Sequence, residues 1–345
     1  MELRGIGLWF EISKPYLFLT LNELCLAVFM ILIQSILSKG VNALAIVVYE
    51  HIVATIVISL LAFFLERQKR PPISVKILCY AFLLGLLQIT LCQLLLTTAL
   101  GFIGSSYESI GLNLQTAVIF VLAVIFGQEK FRFWSSNGQA KIWGVTSSAA
   151  GVLSTVLWTG PTVLKSTNFP SFQVATDDVI VGVILIVVGV LATCFWNILV
   201  GHVTRMYPAE LSLTAMMSFF GTIQTAIVTA IVIPSSSWEL QWDGGLVFVA
   251  ILFGGIVITG LSYYVMTWSI HKRGPVFTSA FTPLLIVFSF LLDTIVLGDS
   301  AHLGSIVGAF LVVVGLYLIL WAKADDMKKN EISDDLSVNS PLIQP

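Results

Sequence analysis

Lys and Arg fall in every second gap between ten long apolar runs, and this alternation constrains the fold more than any other feature of the chain. The runs cover 15–37, 43–65, 76–99, 104–126, 142–164, 179–203, 211–233, 246–270, 276–297 and 303–321. Each is about 20 residues, the length an α-helix needs to cross the hydrocarbon core of a bilayer. Fifteen of the 17 basic residues sit at the termini or in one alternate set of gaps; only Lys39 and Lys165 fall in the other set. Basic residues concentrate on the cytosolic side of membrane proteins, so both termini are predicted to be cytosolic. Composition agrees. A 345-residue chain that is 57% hydrophobic and 10% charged has more apolar surface than one water-soluble core can enclose.

The predicted architecture is an all-α integral membrane protein with ten transmembrane helices. Residues 1–14 form a cytosolic N-terminus, 165–178 an extracytosolic loop and 323–345 a disordered cytosolic tail that is acidic, polar and without apolar periodicity. The first run lacks a small-residue cleavage site and reads as a retained helix. Cys25, Cys79, Cys92 and Cys194 all lie in apolar runs and read as buried thiols. Five helices on each side of the loop suggest a duplication, with Ile142, Gly144 and Gly151 answering Ile306, Gly308 and Gly315. An odd-numbered repeat must enter the membrane from the opposite side in its second copy, so 15–164 and 179–322 are predicted to be inverted repeats. Small residues seven apart also serve simple close packing of helices.

Ionisable groups inside a membrane are costly and are therefore candidates for function. Glu23, about two turns into the first helix beside Asn22, could bind an ammonium or carry a proton, or else snorkel to the interface. Glu50 and His51 lie within the second run, while Glu108 and Asp293 lie near outer helix ends and read as anchors. Gln88, Gln93, Asn113, Gln115 and Thr116 give the third and fourth helices a polar content. Asn113 and Thr116, three apart, share a face. Interhelical hydrogen bonding is the competing explanation for all of them. Trp196, Tyr263, Tyr264 and Trp268 suit an aromatic wall or an interfacial belt. The motifs of zinc hydrolases, phosphate loops and serine hydrolases are missing, so the chain reads as a non-enzyme with no cofactor and no metal site. Its basic loops are too short and dispersed for nucleic acid.

The segments YPAELSLTAMMSFFGTIQTAIV (207–228) and GGIVITGLSYYVMTWSIHKRGPVFTSAFTPL (254–284) closely resemble the plant nodulin-21-like, "walls are thin"-related family. That family belongs to the EamA-type drug/metabolite transporter superfamily. VVYEHIVATIVI (47–58) and AVIFVLAVIFGQEK (117–130) resemble its second and fourth helices. The resemblance implies two inverted five-helix EamA-like repeats that carry small organic solutes, amino acids or auxin-like compounds, across plant membranes. Three departures stand out. Thr116 occupies the place of a usual Pro, Glu50 that of a usual Arg, and Gln34 that of a usual Lys. The expected function is therefore solute transport by alternating access, with lipid, the solute and protons as partners and oligomeric state open. Glu23, Gln93, Asn113, Thr116, Trp196, Tyr264 and Pro283 are predicted nearest the solute path. Plasma membrane is the expected address and tonoplast the alternative. A multi-pass receptor or scaffold without transport is the rival reading.

Overall fold

The structure, a computed structural model, describes residues 2–37, 41–68, 70–99, 105–129, 131, 134–158, 161–164, 176–238, 245–292, 294–295 and 301–339. Side chains are described at these positions except 2–12, 34, 37, 105–110, 113–114, 155–157, 162–164, 176–179, 236–237, 301–302 and 327–339. Among the described residues the chain forms ten helical rods. They are α1 (Glu2–Leu37), α2 (Ala43–Glu66), α3 (Val75–Ala99), α4 (Ser105–Ile125), α5 (Ser136–Leu157), α6 (Thr176–Met206), α7 (Glu210–Val232), α8 (Leu246–Arg273), α9 (Pro275–Leu292) and α10 (Leu303–Asn339). Eight are long and apolar enough to cross a membrane. The other two are α4, whose described apolar part is Gln115–Ile125, and α5, which is diluted by Asn137, Gln139, Lys141 and several Ser and Thr. The chain is a multi-pass integral membrane protein.

Side-chain caps start several of these helices. Asn42 accepts from the Leu44 N–H at 2.9 Å, Ser74 from Ile77 at 3.3 Å and Ser135 from Gly138 at 3.0 Å. The cap of α7 is borrowed from another helix: the Glu66 carboxylate at the end of α2 accepts from Leu211 N–H at 3.0 Å and Ser212 N–H at 2.7 Å. A carboxylate there also complements the positive end of the helix dipole. Between α8 and α9, Gly274 takes φ of 88°, which only glycine adopts freely, and Pro275 opens α9 where its missing N–H costs least. Large apolar side chains line the outside of the bundle, with Phe64 75% and Ile231 80% exposed. Such a surface is stable against acyl chains and not against water.

Helices α5 and α10 form the most extensive pairing. Around them α2 packs on α7, α3 on α7 and α8 on α2, α4 on α6 and α9 on α1. One apolar cluster joins Leu19, Ile119, Ile186, Phe277 and Phe281; a second surrounds Trp196, Tyr207 and Met217. Two helices change their winding in mid-course. Leu86–Gln93 of α3 and Gly254–Ser262 of α8 are π-helical, so their hydrogen bonds reach one residue further than in an α-helix.

Beside the helices, a short β1 (Thr162–Leu164) pairs antiparallel with β2 (Ala301–His302), linking the exit of α5 to the entry of α10. The first helix begins at Glu2 and passes through Pro15, with its membrane-length apolar part at Ser13–Ile33. At the other end α10 runs to Asn339, with 340–345 outside the described residues. Extending a formed helix avoids the cost of nucleating one. The acidic start of this segment also finds partners on α5. Asn137 Nδ2 donates to Asp325 Oδ2 at 2.8 Å and Asp326 Oδ1 at 2.6 Å. Lys141 Nζ donates to Asp326 Oδ2 at 2.5 Å and Glu129 Oε1 at 2.6 Å, and Lys323 closes the network on Glu129 Oε2. Burial alone would lower the Lys141 pKa, but Glu129 and Asp326 outweigh it and hold the ammonium above its ordinary range.

Candidate functional site

Polar contacts concentrate where helices of the first half meet helices of the second. On the α2–α7 contact the hydroxyls of Thr55 and Thr222 lie 2.9 Å apart, and Thr222 Oγ1 is 3.1 Å from the His51 carbonyl. On the α3–α8 contact the Tyr263 hydroxyl donates to Gln93 Oε1 at 2.9 Å. Next to it Thr193 of α6 donates to Gln88 Oε1 at 2.7 Å, and Thr90 donates to Gln224 Oε1 of α7 at 3.0 Å. Such bonds satisfy side chains that hydrocarbon would leave unpaired, and they hold the two halves in one register.

The contact between α4 and α9 has a specific cause. Pro283 has no N–H, so the Ser279 carbonyl loses its ordinary helical partner four residues on, and α9 is interrupted over 280–283. The Thr282 N–H reaches that carbonyl at 3.2 Å, and Thr116 of α4 donates its hydroxyl to it at 2.8 Å. The hydroxyl that stands in place of an expected Pro in α4 thus repairs the damage done by the Pro in α9.

Each π-helical turn is flanked by a close helix contact. Beside the turn of α3, a β-carbon on Gly85 would lie 2.7 Å from the Met217 carbonyl and 2.8 Å from Gly221 N. Trp196 Nε1 donates to the Met217 sulfur at 3.1 Å, and the ring lies 6.3 Å from that of Tyr263. At the turn of α8, a β-carbon on Gly255 would lie 2.8 Å from the Glu50 carbonyl oxygen and 2.7 Å from Val53 Cβ. One on Gly254 would lie 2.7 Å from Glu50 Cδ and 2.8 Å from both Glu50 Oε1 and Phe29 Cε2. Glu50 is 1% exposed and its Oε1 has no hydrogen-bond partner. His51 is buried beside it in sequence. Its Nδ1 is 2.7 Å from the Val47 carbonyl, which can only accept, so Nδ1 carries the proton and Nε2 is an unpartnered acceptor.

Of the residues expected along the solute path, the structure brings together Gln93 and Trp196, through Tyr263, and separately Thr116 and the α9 interruption that ends at the buried Pro283. Glu23 is buried on α1 with Asn22 Nδ2 at 3.3 Å from its Oε1. Tyr264 stands apart, half-buried against Ile58, Ala62, Leu211 and Ala215. The side chains of Asn113, Gln34 and Glu108, and all of Asp293, lie outside the described residues. Tyr263 and Glu50 are among the residues at these contacts that the expected set leaves out. Glu50 carries a signal in the sequence, an acid amid an apolar helix; Tyr263 has none that distinguishes it from Tyr264.

Known proteins match this arrangement over most of its length. The EamA-like transporter family matches residues 13–157 and again 180–321, so the family unit occurs twice. WAT1-related protein At5g64700 of Arabidopsis thaliana is 32% identical over 93% of this chain and 93% of its own. WAT1-related protein At2g37460 of the same plant is 32% identical over 97% of this chain and 89% of its own. A solved crystal structure at 14% identity covers 89% of this chain and 98% of that one with a TM-score of 0.67, which bears on the fold alone. Two matched units, a bundle of membrane-length helices and relatives aligned end to end identify the chain as a member of the EamA-like transporter family, in its WAT1-related branch.

Proposed function

We propose that this chain is a ten-pass carrier of small organic solutes, amino acids or related compounds, that works by alternating access between two inverted five-helix repeats. The observation that carries the reading is the symmetry of contacts between the halves. Gly144 faces the Gly315 carbonyl and Gly151 faces the Gly308 carbonyl, so α5 and α10 run antiparallel. The sequence matches Gly144 with Gly308 and Gly151 with Gly315, and this exchange turns one contact into the other. Both π-helical turns obey the same exchange, as do α3 on α7 against α8 on α2, and α4 on α6 against α9 on α1. Inverted repeats with pairwise-equivalent contacts give two conformations of similar energy, open to opposite sides of a midplane site.

The solute path runs along the polar seam of Gln93 and Tyr263, with Trp196 behind it, Glu23 supplying charge, Asn113 hydrogen bonding, and Thr116 and Pro283 forming the break in α9. Tyr264 lines its cytosolic approach. Both termini are cytosolic, and the plasma membrane is the address. Counterflow of a panel of radiolabelled amino acids and indole acids into proteoliposomes tests the function. Accelerated uptake of at least one class into preloaded vesicles is expected; none for any compound with folded protein rejects the reading. In a variant without native cysteines, a cysteine at Ser171 should react with an impermeant reagent from the extracytosolic side and one at Ser333 should not. The reverse pattern rejects the ten-pass orientation.

A further inference from the structure

The Glu50 carboxylate is buried beside the seam with no hydrogen-bond partner for its Oε1. It is aimed into the space that Gly254 leaves by having no side chain, at the first residue of the π-helical turn of α8. Phe29 closes the same space from α1 with a ring edge that offers no N–H or O–H. The equivalent corner in the other half is filled by Met217, whose sulfur receives the Trp196 N–H. One corner therefore contains its own donor and the other contains only an acceptor. An ionised carboxylate without a donor costs several kcal/mol in such surroundings, and a proton removes most of that cost.

We propose that Glu50 is a proton-binding site of the carrier, loaded when the α2–α8 contact is closed as in this structure and emptied when that contact opens to water. The proposal rests on the transport reading above and adds a residue to it. The titratable groups that face Glu50 are few. Tyr263 of α8 lies within electrostatic reach of both Glu50 and Cys92 of α3. On α2 itself Tyr49 is engaged with the Trp238 carbonyl and His51 Nδ1 with Val47. From α1 come Glu23 and Cys25, more than a turn from Phe29, and α7 contributes only uncharged groups at its contact, Ser218 and Thr222. The sequence holds no Lys or Arg in 15–37, 43–66, 210–232 or 246–270, so these segments offer no Lys or Arg to neutralise the carboxylate.

The test is reaction of the full-length carrier in phosphatidylcholine vesicles with dicyclohexylcarbodiimide, which adds to protonated carboxyl groups in apolar surroundings. Peptide mass spectrometry reads the modified fraction of Glu50 across a pH series, with Glu23 as an internal reference. Glu50 should be modified, with the rate falling about tenfold per pH unit once above its midpoint. Glu50→Gln should abolish the label on that peptide and leave the Glu23 label in place. Gly254→Ala, which puts a methyl group where the carboxyl lies, should change the Glu50 rate severalfold at fixed pH. Absence of label on Glu50 at every pH while Glu23 reacts, or a Glu50 rate independent of pH, overturns the proposal. None of these readouts requires solute flux, so failure of the counterflow assay and failure here are separate results.

Discussion

The two π-helical turns are built alike and furnished differently. Both follow or begin at a glycine whose missing β-carbon admits a neighbouring helix, Gly85 against α7 and Gly254–Gly255 against α2. In the first, an indole N–H meets a thioether and is paired by it. In the second, a phenyl edge meets a carboxylate that has no partner for Oε1. The same backbone joint thus serves once as a sealed apolar contact and once as a contact with unmet hydrogen-bonding capacity. Local backbone geometry is set by glycines and close packing; whether the joint carries chemistry is decided by one or two side chains beside it.

Changes at these joints separate the two kinds of furnishing, and the largest effect is expected at the sealed one. Met217→Ala should destabilise the carrier by about 2–5 kcal/mol, since it opens a cavity in a fully packed cluster and strands the Trp196 N–H. Thermal unfolding of the purified protein in detergent would report it, and an unchanged midpoint would mean that the cluster can collapse. Next come Gly85→Ala and Gly255→Ala. Each places a methyl group against a backbone carbonyl that cannot turn away, at a cost of about 1–3 kcal/mol apiece. The two losses should be similar; a clear inequality in folded yield or midpoint would break the structural equivalence of the joints.

Glu50→Met has the opposite sign. It furnishes the second joint like the first and removes an unsatisfied buried acceptor, so a gain of about 1–3 kcal/mol is expected in the same unfolding assay. A loss of stability would show that the carboxylate is paired in the membrane by something the bundle itself does not supply. The smallest effect belongs to Trp196→Phe, which imitates Phe29 and removes one N–H···S bond for about 1 kcal/mol. A much larger loss would place the weight of the corner on ring packing rather than on the donor.

Much of this architecture can be read from the chain. Apolar runs of membrane length mark eight of the ten described rods, and Gly144 and Gly151 stand where α5 meets α10. Local hydropathy is weaker for α5, because Asn137 and Lys141 belong to an ionic network that composition cannot foresee. The same network takes in two acids beyond the last apolar run: Asp325 and Asp326 look solvated in the sequence until α5 supplies their partners. The choice between Tyr263 and Tyr264 was not legible, for a geometric reason. Each α-helical residue turns the face by about 100°, and a π-helical turn carries an extra residue, so faces counted from the start of α8 arrive one position out of phase. Nothing in GGIVITGLS announces that change of winding. Thr116 was legible as polar but not as the repair of a carbonyl freed in another helix.

The α5–α10 seam has a mechanical corollary. At two levels a β-carbon on one helix would lie within 2.8 Å of a carbonyl oxygen on the other, Gly144 at Gly315 and Gly151 at Gly308. Sliding either helix by one residue would bring a side chain to a place that holds only hydrogen. Below the seam, Lys141 and Lys323 grip one carboxylate, so rolling would have to break buried ion pairs. The pair can neither shear nor roll cheaply. In the carrier proposed above this pair would serve as a keel, and a covalent bond tying the two helices together should leave counterflow intact.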